Sequence, residues 1–199
     1  MTKIISRRIE FQGWHKFETI VLQPRSLSHD GYVAEMQREL LHVGQIAVCL
    51  PYLPETDEIL LSQQFRLGPF IADDPQPYLY ECCGGCVDEG ETPEEAMKRE
   101  TLEETGCQVT DFEFIGKAYA SPGCSDEAFL IYCGRLAQAK MGMHGLVEEG
   151  EEIKTHLLPA REAIRMLDAG EISNIASVVA LHWFARNHDR LHKKWGTPA

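Results

Sequence analysis

The chain has 199 residues, 44% hydrophobic and 25% charged, enough apolar material for one sizeable domain, with or without a small appended unit, and too much for wholesale disorder. A formal charge of −12 argues against electrostatic binding to nucleic acid or to an anionic membrane surface, though an anionic small molecule stays open if cations accompany it. The opening MTKIISRRIEFQGW lacks the apolar core of a signal peptide, and no apolar run approaches the roughly 18 residues of a membrane span.

Residues 1–45 alternate polar and apolar side chains (IISRRIEF, FETIVLQ, GYVAEMQREL), which predicts about three strands, with His29-Asp30-Gly31 as a hairpin turn. A boundary near residue 45 is expected between this strand unit and a main domain over 46–199. QIAVCLPYL reads as a buried strand, and EILLSQQ as another after a turn at Pro54–Asp57. RLGPFIADDPQP is expected to be a loop, and YLYECCGG a short strand running into a Gly84-Gly85 turn. VTDFEFIGKAYA and EAFLIYCGRLA are strand-like, MGMHGLVEEGEE is a Gly-rich acidic loop, and IKTHLLP is a further strand. Two helical patterns close the chain, AREAIRMLDAG ending at Gly170 and NIASVVALHWFARNHDRLH. Strands, one central helix and terminal helices predict an α+β or α/β sandwich with a small N-terminal β unit.

Seven cysteines are an odd number without regular spacing. Cys49, Cys107, Cys124 and Cys133 lie in or beside apolar runs, which fits a reducing cytoplasm better than a disulfide framework. Cys83 and Cys86 make a C-x-x-C, but a zinc or redox reading needs a second ligand pair or a thioredoxin-like context; small residues packing around Gly84-Gly85 is preferred. The eight histidines are read as having no ligand spacing. There is no G-x-S-x-G, H-E-x-x-H or G-x-x-x-x-G-K-[ST].

Gly84 to Cys107 carries eight carboxylates and two bases. Thr92-Pro93-Glu94-Glu95 is a helix start, with Thr92 as N-cap and Glu95 as its capping-box partner, and Gly106 supplies the left-handed residue at the far end. The helix therefore runs from about Pro93 to Thr105. Glu100, Glu103 and Glu104 stand at i, i+3 and i+4 and share one face. Each like-charged pair costs ~0.2–0.5 kcal/mol in a bare helix, and the negative end of the dipole adds ~0.3–1 kcal/mol per charge. A solvated face would intersperse lysines, yet only Lys98 and Arg99 are present. A divalent cation turns the repulsion into chelation, and hard oxygen ligands are what Mg²⁺ takes. Ahead of the helix, the Gly84-Gly85 turn permits close backbone approach, so a main-chain carbonyl there could complete such a site.

These residues resemble the Nudix box: a Gly, five residues, Glu, seven residues, Arg-Glu, an aliphatic, any residue, Glu-Glu, any residue, Gly and an aliphatic. Gly85, Glu91, Arg99, Glu100, Glu103, Glu104 and Gly106 fall in register, while Thr101 and Cys107 replace the aliphatics. Within the superfamily the chain resembles the bacterial ADP-ribose pyrophosphatases. The resemblance lies in Pro122 of Ser121–Gly123, fifteen positions after Cys107, in the loop HGLVEEGEEIKTHLL, and in the closing GEISNIASVVALHWF.

The resemblance implies a Nudix α/β/α sandwich with a mixed sheet. It makes Glu100 and Glu104 principal ligands of Mg²⁺, or of Mn²⁺ in its place, with Glu103 a further ligand or catalytic support and the Gly84 carbonyl joining them. Glu91 and Arg99 would form the salt bridge that holds the box loop, framed by Gly85 and Gly106. Glu149 would be the general base and Glu151 an assisting base or ligand, the choice among the loop glutamates staying open. Arg66 and Glu81 would contact the pyrophosphate and the substrate or metal, with Pro122 marking the substrate side. Trp14, Phe17 and Tyr32 are candidates for an adenine face. The expected reaction is hydrolysis of ADP-ribose to AMP and ribose 5-phosphate in a cytoplasmic homodimer that exchanges its N-terminal strand unit. The alternatives are another nucleotide sugar such as GDP-mannose, and a non-catalytic nucleotide-binding module.

Overall fold

A computed structural model describes residues 1–139, 141–145 and 150–196. Its contacts divide the chain into two units, Met1–Gln45 with Tyr119–Ala128, and Ile46–Ala118 with Phe129–Ala199.

In the first unit β1 (Lys3–Gln12), β2 (Lys16–Gln23) and β3 (Met36–His42) form an antiparallel sheet in that order. The tight hairpin joins β1 to β2 at Gly13–His15, where the Gly13 N–H donates to the His15 carbonyl at 3.1 Å. His29–Gly31, expected to be a hairpin turn, is instead the tip of a longer β2–β3 connection, closed by Ser26 N–H to Gly31 O at 3.0 Å. The β2–β3 ladder cannot run through Pro24, which has no N–H. Glu18, on the central strand, is buried and accepts from Arg7 Nε and Nη2 at 2.8 and 2.6 Å. That guanidinium, with help from His42 at 2.8 Å, holds the Glu18 carboxyl down at about 2 against the cost of burial. The other ring nitrogen of His42 meets Asp126, whose carboxylate also caps the N–H groups of Val43 and Gly44.

The second unit is built on a sheet in the order β10-β11-β5-β4-β9-β8. Its strands are β4 (Gln45–Leu53), β5 (Glu58–Phe65), β8 (Val109–Tyr119), β9 (Ala128–Leu136), β10 (Met143–His144) and β11 (Ile153–Pro159). Two short strands lie off this path, β6 (Tyr78–Glu81) on β5 and β7 (Cys83–Cys86) on β4, both antiparallel. The stretch 78–85, expected as one strand entering a turn, is thus two strands, and Gly84-Gly85 is extended backbone in β7, opposite Val48 and Ala47. The physical reason is crowding: a Cβ on Gly84 would stand 2.5 Å from the Ala47 carbonyl oxygen, so at this position the strand can approach β4 only without a side chain.

β4 is buried on both faces, and its parity sorts them. Ala47, Cys49 and Leu53 join a cluster with Ala96 and Met97 of α2 (Pro93–Thr105). Tyr52, of opposite parity, meets Phe184 of α4 (Ile175–Trp195) edge-on at 4.9 Å. Helices therefore cover both faces, with α3 (Ala160–Asp168) packed on α4, β5 and β11, an α+β fold. Residues 66–77, expected to be a loop, contain one helical turn, α1 (Leu67–Ile71), because Pro69 falls in the first turn where its missing N–H costs nothing. Among the described residues, no helix is long and apolar enough to cross a membrane.

Candidate active site

Helix α2 starts and stops where its sequence demands. Thr92 Oγ1 accepts from Glu95 N–H at 3.3 Å, Glu95 Oε2 accepts from Thr92 N–H at 2.8 Å, and Gly106 ends the helix at φ 67°. The two departures from the box pattern pack without cost. Thr101 is fully buried, but its hydroxyl donates to Met97 O at 2.7 Å, and Cys107 joins the core cluster.

The three glutamates of the shared face are not equivalent. Glu104 is only 8% exposed, and its Oε2 accepts the Gly84 N–H at 3.1 Å. Burial pushes its carboxyl up to about 8, and the neighbouring Glu100 and Glu81 charges add to this against the Gly84 N–H and Arg66. Glu100 is raised too, first by burial, then by Glu103 and Glu151, with Arg99 opposing. Its carboxylate occupies the place where a Gly85 side chain would be. Glu103 is 44% exposed and takes one hydrogen bond from Arg99 at 3.2 Å.

Arg99 organises the rim. Nε and Nη2 bind Glu91 at 3.0 Å each, Nη1 binds Glu100 at 2.7 Å and Glu103, and Nη2 also reaches the Cys86 carbonyl at 3.1 Å. All five guanidinium donors are engaged, so this arginine holds the loop to the helix and has none left for a ligand. Arg66 and Glu81, expected to contact the pyrophosphate and the substrate or metal respectively, are brought together: Arg66 Nε and Nη2 reach one Glu81 oxygen at 2.9 and 2.6 Å. Asn174 Nδ2 holds the other at 3.0 Å, and Glu81 is 2% exposed.

Glu151 lies close enough to act electrostatically on both Arg66 and Glu100. Glu149 lies outside the described residues. Pro122 is exposed in a turn over Ser121–Cys124 of the first unit, as are Trp14 at 92% and, less fully, Tyr32, while Phe17 is half-buried.

Six carboxylates (Glu81, Glu91, Glu100, Glu103, Glu104, Glu151) thus face two guanidiniums. The donors near Glu100 and Glu104 are all oxygen, two of them are carboxylates driven toward protonation, and the glycines leave room beside them. In extended backbone the N–H and C=O of one residue point to the same side, so the Gly84 carbonyl shares the edge that its N–H presents to Glu104. That set fits a hard divalent cation. A thiolate site on Cys83 does not fit, since burial holds that thiol well above its ordinary value.

Asn174 is the residue that sequence reasoning missed. It was legible only as a helix start; in the fold its Oδ1 caps Ser177 N–H at 3.0 Å while its amide braces Glu81. The histidine reading also needs correction. His188 and His192 stand four apart on α4, and with Asp57 they bring one ligand atom each to within 4.8 Å of one another.

Compared with known proteins, residues 44–187 match the NUDIX domain family. The chain is 32% identical over 198 residues to the ADP-ribose pyrophosphatase of Escherichia coli K12, covering 97% of this chain and 92% of that one. It is 32% identical over 197 residues to the ADP-ribose pyrophosphatase of Haemophilus influenzae, covering 97% and 90%. The GDP-mannose pyrophosphatase of Cronobacter sakazakii is also 32% identical, but over 152 residues, 76% of this chain and 79% of that one. A crystal structure of an ADP compounds hydrolase superposes with a TM-score of 0.73 at 18% identity, over 98% of this chain and 97% of the other, which shows the shared fold.

Proposed function

This chain belongs to the Nudix family of hydrolases, and we propose on that footing that it cleaves the pyrophosphate of ADP-ribose to AMP and ribose 5-phosphate with Mg²⁺, Mn²⁺ serving in its place. One observation carries the reading: the buried Glu104 and part-buried Glu100 carboxylates converge on Gly84 and Gly85, within electrostatic reach of Arg66, Glu81 and Glu151. The extent of the alignments supports ADP-ribose, because at equal identity the ADP-ribose pyrophosphatases align over 97% of the chain and the GDP-mannose enzyme over 76%.

Glu100, Glu104 and the Gly84 carbonyl would hold the cation. Bound there, it would supply positive charge opposite the phosphate oxygens and make water acidic enough to be deprotonated near neutral pH. The rest falls to side chains. Arg66 turns its half-exposed guanidinium to a phosphate while Glu81 and Asn174 fix its aim. Glu149, or Glu151 two residues on in sequence, accepts the proton of the attacking water. A new P–O bond forms in line as the bridging P–O bond breaks, and the leaving phosphate carries the electron pair away. Glu91 and Arg99 keep the loop on α2 throughout.

Product chromatography tests this. Incubation with ADP-ribose and Mg²⁺ is expected to yield AMP, with none in EDTA. Turnover of GDP-mannose in place of ADP-ribose would overturn the substrate. Binding without metal-dependent turnover of either would replace the enzyme with a nucleotide-binding module.

The same proposal makes the chain a cytoplasmic homodimer. None of the seven cysteines is in a disulfide, as a reducing compartment maintains them, and recovery from outside the cytoplasm on fractionation would count against it. β1 is an edge strand carrying Ile4, Ile9 and Phe11 more than half exposed, an apolar edge that a second copy would cover. Light scattering should give about twice 22.5 kDa, falling to the monomer in Ile9→Asp/Phe11→Asp. A monomeric wild type would refute the dimer and leave the chemistry untouched.

A further inference from the structure

We propose that Asp57, His188 and His192 form a second metal site, for a divalent transition-metal ion of the zinc class. It is built from residues other than the carboxylate centre on α2. The two histidines are four apart on α4 and share a face, while Asp57 ends the turn after β4 with its backbone in the left-handed region at φ 57°. One ligand atom from each lies within 4.8 Å of the others.

The supporting contacts are those such a site requires. His188 Nε2 is 2.6 Å from Asp57 Oδ1, and its other ring nitrogen faces the Asp189 carboxylate at 3.3 Å. Beneath them Tyr52 is fully buried and wedged by Phe184. Its hydroxyl donates to the same Asp57 oxygen at 2.9 Å, so at 2.8 Å from His192 Nδ1 it acts as acceptor and orients that ring.

Two imidazoles and one carboxylate suit zinc, cobalt or nickel and do not suit Mg²⁺, which takes oxygen donors. Metal–ligand distances of about 2.0–2.1 Å put tetrahedral ligand atoms roughly 3.3 Å apart. The 2.6 Å Asp57–His188 contact therefore opens slightly and the 4.8 Å span closes, both within side-chain rotation. The consequence would be structural. α4 carries Asn174 and Ser177 at its start, where they hold Glu81 and the Cys82 N–H, so an ion at its far end would pin the helix that braces the carboxylate centre.

The test is a Co²⁺ titration of the EDTA-stripped full chain, read by visible absorption. One ion per chain with the intense bands of a four-coordinate nitrogen-containing shell is expected, displaced by Zn²⁺ and unmoved by excess Mg²⁺, beside a weakly absorbing ion at the carboxylate centre that Mg²⁺ displaces. The intensely absorbing ion should persist in Glu104→Gln and bind more weakly by more than about tenfold in His188→Gln and His192→Gln. His192 is exposed, so its variant folds even where that of His188 does not. Intense bands that disappear in Glu104→Gln and survive in His192→Gln would overturn the site, as would no intense bands at micromolar Co²⁺. Either result would leave Tyr52, Asp57 and the two histidines as a hydrogen-bonded strap.

Discussion

Glu104→Gln should abolish metal-dependent turnover and, in the same preparation, make the metal-free protein more stable at pH 8. The loss of turnover should exceed the roughly 10–100-fold that removal of an outer-shell partner costs a metal site, because a buried ligand disappears while the Gly84 N–H can still find the amide oxygen. The gain in stability follows from burial, which moves this carboxyl from an ordinary 4.5 to about 8. Between those values the folded chain keeps a proton that the unfolded chain has released. Metal-free wild-type stability therefore falls as pH rises from 4.5 through 8, and levels off above. A neutral glutamine has no such slope, so the two proteins should match below pH 4.5 and differ by on the order of a few kcal/mol above pH 8. Mg²⁺ should close the gap for the wild type by binding the carboxylate that the fold disfavours. Urea unfolding at pH 5 and pH 8, in EDTA and in Mg²⁺, measures all of this. A flat wild-type profile in EDTA would show that Glu104 is not the electrostatic liability that its burial makes it.

The sequence made α2 legible in full, since Thr92, Glu95 and Gly106 act through contacts three or four residues long and local chemistry suffices to place them. Its spacing also put Glu100, Glu103 and Glu104 on one face. Which of them is buried is decided by β7, and periodicity cannot say that a Gly-Gly strand will press on Glu100 and Glu104 and leave Glu103 half in water. Pairings at long range were illegible for the same reason. Arg66 and Glu81 each looked like a ligand contact, and only the β5–β6 ladder shows that they satisfy each other. The His188/His192 spacing was readable, but its meaning depends on Asp57, 131 residues away in sequence. Glycine was misread most instructively: a Gly-Gly pair usually signals a turn, whereas here both residues are extended because two neighbours need the space.

Gly85→Ala and Gly84→Ala should separate that need into its two parts. A Cβ on Gly85 overlaps the Glu100 carboxylate, which is the far end of a flexible side chain. The glutamate can rotate away at small cost, so the variant should fold with stability within about 1 kcal/mol of wild type. Displacing one ligand should nonetheless weaken the metal requirement's half-saturation and the turnover by more than about tenfold. A Cβ on Gly84 meets backbone instead, the Ala47 carbonyl oxygen at 2.5 Å and Val48 Cα at 3.0 Å, in the ladder between β7 and β4. Nothing there rotates, and the strands must part, at a cost of about 1–3 kcal/mol or more. Gly84→Ala should therefore lose stability and activity together, and excess Mg²⁺ should not rescue it, while excess Mg²⁺ should partly rescue Gly85→Ala. Thermal unfolding and Mg²⁺-dependent rates on the two variants decide the matter. If Gly85→Ala kept the wild-type metal dependence, Glu100 would not be a ligand, and the carboxylate centre would rest on Glu104 with a different partner.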